Sequence, residues 1–463
     1  MPEFHEGLNR ALTYPLFQAI ANRRSRRIGK GLLGVRAGSL SYKPTDATAP
    51  QPLSPLEEAV LIAATGTTGV TLPDRPFEDD QGQKILGTPN LNMVGRAAGG
   101  TDNAQATHFF LINDEGVYLL RRVETPAAFP TTAQEFLDRA AQAKQLVHAG
   151  RPQFPRDFPY YLDSNRFLSN VPGSTILFPI VDMTRQYINA LMYLLTEPEG
   201  HRPIFLDDRN FYFKAGVKSW FRKGPGGETP FLKQDSKLRL PLGVLGSMRT
   251  QIEADLLLQN LMLVLQAMGL GGWIHACVAP PYLLGNPHLT TAAEQEQGLR
   301  FRWHTPGFRF LDLLRWGTFL PSARAHPVGV EVNGTTLLKG LCPPYYTDMA
   351  EAVNEVVEQK YRQPDGVYED RAYFRSIFRG DGGDRYVSEV PHYDKRVIAC
   401  VKDVCRYVHQ THGRFPAHVD AMYVPGVWLQ AHHLDLDYYD TLFTTGPTPT
   451  HRQHQQLWHA GGS

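Results

Sequence analysis

At 463 residues the chain is long enough for two or three domains and for a substantial buried core. Hydrophobic residues make up 42% and charged residues 20%, which excludes extended disorder. The 47 basic and 46 acidic residues leave a net charge of +1, so no global field draws the protein onto nucleic acid or a membrane.

The opening stretch MPEFHEGLNRALTYPLF lacks the basic-then-apolar pattern of a secretory signal. The most apolar run, IEADLLLQNLMLVLQAMGLGGW, is broken by Glu253, Asp255, Gln259, Asn260 and Gln266, too polar a pattern for a lipid-spanning helix. Cys277, Cys342, Cys400 and Cys405 form no CxxC pair and read as reduced thiols. A cytoplasmic protein is expected.

In chain order, a first helix is expected over roughly residues 5–22, ending in the arginine run NRRSRRIGKG. LSPLEEAVLIAATG (53–66) has serine at its start, proline just inside and glycine at its end, and reads as a second helix. Residues 67–100 are rich in Gly, Pro and Asp and read as an insertion. THFFLIND and EGVYLLRR are two apolar runs around a polar turn, a hairpin signal. STILFPIVD (174–182) predicts a buried strand, and TRQYINALMYLLT predicts the helix after it. Residues 197–247 form a second loop-rich insertion, and 251–269 the longest helix, apolar nearly all round and therefore central. AHPVGVEVNG (325–334) is a further strand. A mostly helical extension spans 347–463, with helices at 347–361 and near 394–410, following a first domain over 1–346. FRGDGGDRYVSE (378–389) has no Walker lysine and reads as a loop.

Three separated segments carry the chemistry. Arg23, Arg24, Ser25 and Arg27 offer guanidinium forks and a hydroxyl suited to phosphate oxygens. Helix-end capping, or a nucleic-acid patch, is the alternative for such a run. DNAQATHFFLIND (102–114) places Asn103 and Gln105 before an apolar strand, where amides match the mixed donor and acceptor edge of a heteroaromatic ring. A polar loop entering a strand is the plainer account. MGLGGWIHACVAPP (268–281) places Gly271 and Gly272 where backbone can approach a flat ligand, with Trp273 as a stacking wall. The same glycines can also simply end a helix.

Taken together, AIANRRSRRIGKG, DNAQATHFFLIND and QNLMLVLQAMGLGGWI, in this order, resemble the FMN-dependent nitroreductase superfamily over roughly residues 14–345. RAAGG followed by HFFLINDEGVYLLRR is also similar to its azoline-oxidising dehydrogenase branch. The resemblance implies an α+β fold, with a mixed central sheet flanked by helices, and bound FMN. It implies that Arg23, Arg24, Ser25 and Arg27 hold the phosphate and ribityl chain, and that Asn103 and Gln105 reach the ring or ribityl oxygens. It also implies that Gly271 and Gly272 offer N–H groups near N5 and that Lys339 is the basic residue after the last strand. The implied activity is ping-pong hydride transfer from NAD(P)H through the flavin to a small organic acceptor, in a homodimer with the site at the subunit interface. Oxidative tailoring of a biosynthetic intermediate is the alternative activity, and nucleic-acid binding through the arginine loop a third. No catalytic side chain is assigned, since the flavin carries the chemistry. Ala106 and Thr107 stand where the superfamily commonly has Pro and Trp, which alters the wall expected around the ring.

QAHHLDLDYYD gathers His432, His433, Asp435, Asp437 and Asp440, with His409, His412 and His418 shortly before. The spacing matches no zinc pattern, adjacent histidines point apart on a helix or a strand, and no metal site is assigned.

Overall fold

The computed structural model describes residues 5–32, 49–70, 80–82, 94–100, 103–122, 128–215, 218–224, 226–245, 247–276, 279–310, 312, 319–362, 366–390 and 392–459. Most of the 67–100 insertion and Cys277 lie outside them.

The expected first helix is two: α1 (Glu6–Leu12) and α2 (Leu16–Asn22). Pro15 separates them, because it has no N–H to donate and its ring would collide with a carbonyl one turn back. Helix α3 (Pro55–Thr65) starts as its sequence predicts, with Ser54 accepting from the Glu57 N–H while the Glu57 carboxylate accepts from the Ser54 N–H. Strands β1 (Thr67–Val70) and β2 (Val94–Arg96) pair with each other. The hairpin is β3 (Thr107–Ile112) and β4 (Gly116–Leu120), followed by α4 (Ala133–Ala143) and β5 (Lys144–Ala149). The buried strand is β6 (Thr175–Asp182), and α5 (Met183–Leu195) follows without a loop. The 197–247 insertion folds β7 (Ile204–Asp207), β8 (Phe213–Lys214) and β9 (Arg239–Pro241) into a small sheet.

The longest helix is α6 (Ser247–Met268), leading into β10 (Gly271–Ala276). Short helices α7 (Pro280–Leu283), α8 (Ala292–Glu296) and α9 (Pro321–Arg324) surround a three-stranded sheet of β11 (Phe301–His304), β12 (His326–Val332) and β13 (Thr335–Lys339). The tail carries α10 (Met349–Tyr361), α11 (Arg371–Ile377), α12 (Gly382–Glu389) and α13 (Lys395–His412). It ends with β14 (Met422–Tyr423), β15 (Val427–His432), α14 (Leu436–Leu442) and α15 (Pro449–His459). The segment expected as a loop over 378–389 is in fact helical from Gly382, where Tyr386 and Val387 bury against Phe374 of α11.

The fold is α+β. Its main sheet runs β10-β15-β6-β3-β4-β5, with β14 also on β6. The described pairings in it are antiparallel, and the parallel pairing falls in the small sheet, between β7 and β9. One face of the main sheet packs on α3, α4 and α6, with Leu61, Phe109, Phe136, Leu177 and Leu261 buried there. The other face buries Phe110, Ile176, Phe178, Ile180 and Trp428 against the β11–β12 region.

The mostly helical tail is woven into the body. Strand β15 lies between β10 and β6, and α10 and α13 share a core with α5 and the insertion. That core is why Cys342, Cys400 and Cys405 are buried free thiols. No helix among the described residues is long and apolar enough to cross a membrane.

Candidate functional site

Helix α6 positions two clusters, one at each end. At its C-terminal end the arginine segment leaves α2 and crosses β10, where the Arg26 N–H donates to the Gly272 carbonyl at 2.9 Å. The Arg26 guanidinium is buried and committed to structure: it donates to Gly446 O at 2.9 Å and to Gln266 Oε1 of α6 at 3.2 Å. Arg27 lies with its Cζ 4.2 Å from the Trp273 ring centroid and donates to Ser164 O and Asn165 Oδ1 at 3.0 Å. Its Nε is buried and makes no hydrogen bond among the described residues. Arg24 is exposed and, among the described residues, bonded to nearby carbonyls of its own segment, Ala21 O and Arg23 O. Arg23 caps the end of α2 through its backbone.

Arg24, Ser25 and Arg27 line a cleft of about 1050 Å³ together with Tyr438, Thr448 and Arg452. Asp440 pairs with Arg452 through two 2.7 Å bonds, leaving Arg24 and Arg27 with no acidic partner in the lining. Burial pushes the pKa of Arg27 down, which marks the cost of holding this cation without a counter-charge.

Gly271, Gly272 and Trp273 border the same region from within the sheet. A Cβ at Gly272 would stand 2.4 Å from Leu265 Cδ1, and one at Gly271 2.8 Å from the His432 ring. The glycines are therefore required by close packing of β10 on β15 and α6. Trp273 is buried and stacks on His275 at 3.7 Å. Burial, with the nearby Arg27 charge, depresses the His275 imidazole to about 3.

The second cluster lies at the N-terminal end of α6. Asn103 and Gln105 both hold left-handed backbone, with φ of 49° and 44°, and Gln105 Nε2 donates to Asn103 Oδ1 at 2.8 Å. Glu253 of α6 accepts from the Thr107 N–H at 3.0 Å and faces Arg96 at 3.9 Å. Arg122 donates to Gln105 O. Burial drives Arg96 down to about 10 against the opposing pull of Glu253, and burial plus Arg122, Arg96 and Arg185 drives His108 well below its usual value. Lys339 is exposed at the end of β13, outside the main sheet, with its Nζ 4.8 Å from the Tyr346 ring centroid.

The residues predicted from sequence thus fall into two groups. The segment of Arg23, Arg24, Ser25 and Arg27 meets Gly271, Gly272 and Trp273 through the Arg26–Gly272 bond and the Arg27–Trp273 stack. Asn103 and Gln105 stand at the opposite end of the sheet, and Lys339 joins neither group. The helical rise of α6 from Glu253 to Gln266 sets the two groups about 20 Å apart. The concentration of Arg96, Arg122, Arg185 and His108 around Glu253 was missed. Its signal in the sequence was the pair of acids Glu253 and Asp255 near the start of a largely apolar helix.

No protein-family model matches the chain, and no curated protein does. Among solved structures the chain is similar to a "putative nitroreductase" from Ralstonia eutropha JMP134, at 14% identity and a TM-score of 0.26, over 57% of this chain and 70% of that one.

Proposed function

We propose that the protein is an FMN-dependent oxidoreductase of the nitroreductase type, whose flavin site is completed by a second copy of the chain. The observation that carries this reading is the basic cleft: Arg24 and Arg27 stand there with the Ser25 hydroxyl, without an acidic partner in the lining, and with Arg27 Nε buried and without a hydrogen bond among the described residues. Guanidinium forks and hydroxyls in that arrangement suit a phosphate monoester.

A twofold partner is supported by α6. Ile252, Leu256 and Gln259 are exposed and Leu263 half-buried, a seam with the 3.5-residue spacing of paired helices. Beside it, α2 exposes Leu16, Phe17 and Ile20, with Phe17 83% exposed. An apolar stripe of this kind on a water-facing helix marks a docking surface. An axis through α6 near Gln259, about halfway between Glu253 and Gln266, would bring the partner's Asn103 and Gln105 toward this chain's arginine cleft.

In this reading Arg24, Arg27 and Ser25 bind and neutralise the phosphate, and Arg26 holds their segment on β10. The partner's Asn103 and Gln105, preset by their mutual hydrogen bond, orient the ring edge. FMN held by these residues would supply hydride-transfer chemistry between NAD(P)H and an organic acceptor. Oxidation of a biosynthetic intermediate would use the same site in the opposite electron direction.

Purified protein should be yellow, release FMN on denaturation, run as a dimer by light scattering, and bleach when mixed anaerobically with NADH or NADPH. A colourless monomer that takes up no FMN would end the proposal.

A further inference from the structure

The fold brings together four side chains that the sequence scatters over four hundred positions. Glu57 sits in the first turn of α3, His433 follows β15, and His454 and His459 lie on α15 with four residues between them. One ligand atom from each lies within 4.8 Å of all the others. His454 Nε2 is 2.7 Å and His459 Nε2 3.2 Å from Glu57 Oε1, and His433 Nε2 is 3.6 Å from Glu57 Oε2. The three imidazole centroids form a near-regular triangle with sides of 5.1, 5.3 and 5.8 Å.

From these contacts we infer a structural binding site for a divalent transition-metal ion, with zinc as the natural occupant, built from Glu57, His433, His454 and His459. Three imidazole nitrogens and one carboxylate oxygen form a donor set that zinc accepts, and bonds of about 2.0–2.1 Å place tetrahedral ligand atoms roughly 3.3 Å apart. Small side-chain movements convert the present spacing into that one.

Two details favour a metal over an imidazolium–carboxylate network. His454 Nδ1 is 2.8 Å from the Met268 carbonyl, to which it donates. That bond fixes the ring and leaves Nε2 as the lone-pair nitrogen facing Glu57, the outer-shell arrangement that orients metal-binding histidines. Nε2 itself makes no hydrogen bond among the described residues despite its closeness to Glu57, while His433 Nε2 lies 3.2 Å from the Pro52 carbonyl, a contact it would give up on binding the metal. The side chains of Glu57, His433 and His454 are 0%, 2% and 6% exposed, so an unpaired lone pair here has no access to water.

The site would act as a clamp. It joins the start of α3, the end of the central strand β15 and the C-terminal helix α15, whose Arg452 lines the arginine cleft. The inference is independent of flavin binding. Sequence spacing hides it: His433 is the one member of the His/Asp-rich run that takes part, while His432 packs on Gly29 and Gly271. The H-x4-H pair on α15 was the visible half of the signal.

The test uses full-length protein without a histidine tag. Elemental analysis should find about one zinc per chain, and cobalt exchange should give the intense visible bands of a tetrahedral site. His459→Ala, at the most exposed ligand, and Glu57→Gln, which keeps an acceptor for the Ser54 N–H, should each lower zinc affinity by at least about tenfold. Circular dichroism of both variants should remain native, and a chelator should lower the melting temperature of the parent only. The inference is overturned if folded parent protein takes up neither zinc nor cobalt on titration. It is equally overturned if both variants bind metal as the parent does.

Discussion

The Arg26 N–H and the Gly272 carbonyl, 2.9 Å apart, join the arginine segment to the edge of the main sheet. Through that bond a charged loop from the start of the chain becomes an extra rung beside β10, and the cleft next to it acquires a rigid floor. The glycine is needed for reasons of space. Gly272→Ala would press a methyl group against Leu265 Cδ1 and, at 2.9 Å, against the Gln430 carbonyl. We expect a loss of about 1–3 kcal/mol in urea denaturation, typical of an overpacked core. An unchanged midpoint would show that β10 shifts freely on β15.

Arg24 is exposed in the cleft and, unlike Arg452, holds no ion pair among the described residues. Arg24→Ala should leave the melting temperature within a degree or so, as surface changes do. It should weaken FMN binding about 10- to 100-fold, the worth of a charged hydrogen bond. Riboflavin, lacking the phosphate, should bind parent and variant alike in a fluorescence titration. Equal losses for both ligands would place the phosphate elsewhere.

Asp207 ends β7 fully buried, accepting from the Tyr407 hydroxyl at 3.0 Å and facing His412 Nε2 at 2.8 Å. Burial raises its pKa, but the His412 hydrogen bond and charge and the Tyr407 hydroxyl outweigh it, and the net value falls below 3.8. A depressed carboxylate adds stability that is complete above its unfolded value and is lost as pH falls through the folded one. The contribution therefore stands at pH 7 and disappears below about pH 4. Asp207→Asn should cost about 3 kcal/mol at neutral pH and flatten the acid limb of the stability curve. Parallel curves for parent and variant would contradict this.

The local fold was legible where one short segment decides it. The Ser54-x-x-Glu57 cap, the 107–120 hairpin around its polar turn, and the all-apolar run 175–182 each carry their structure in their own residues. The insertion of β15 between β10 and β6 was not legible, because it depends on pairing residues more than 150 positions apart. For the site, the arginine and glycine segments were readable and do meet. That Asn103 and Gln105 stand at the far end of α6 follows only from strand direction, which no local pattern encodes. Helix α12 was missed because Gly382 and Gly383 suggested a turn, whereas a Cβ at Gly383 would stand 2.6 Å from the Phe374 backbone.

Lys360 is the least expected charge in the interior. Its Nζ donates to Asn189 Oδ1 at 2.7 Å and to the Tyr393 hydroxyl at 2.6 Å, and burial together with Arg185 lowers its pKa well below 10.5. Between the folded and unfolded values the unfolded chain binds the extra proton, so this group makes stability rise with pH until about 10.5. Lys360→Met leaves the Tyr393 hydroxyl its 3.4 Å contact with Asn189. The variant should lose the alkaline rise, seen as a smaller gain in urea midpoint than the parent between about pH 7 and 10. Equal gains in both proteins would show that Lys360 keeps its proton in the fold.

The central claim is that one flavin site draws its arginines from one chain and its amides from another. Co-expression of Arg24→Ala/Arg27→Ala chains with Asn103→Ala/Gln105→Ala chains tests it directly, with FMN retained per hybrid dimer as the measurement. Each parent variant alone should be colourless. Hybrids should regain FMN, since one of their two sites unites unaltered arginines with unaltered amides. Hybrids as colourless as both variants, beside a yellow parent protein, would show that each chain builds its site alone.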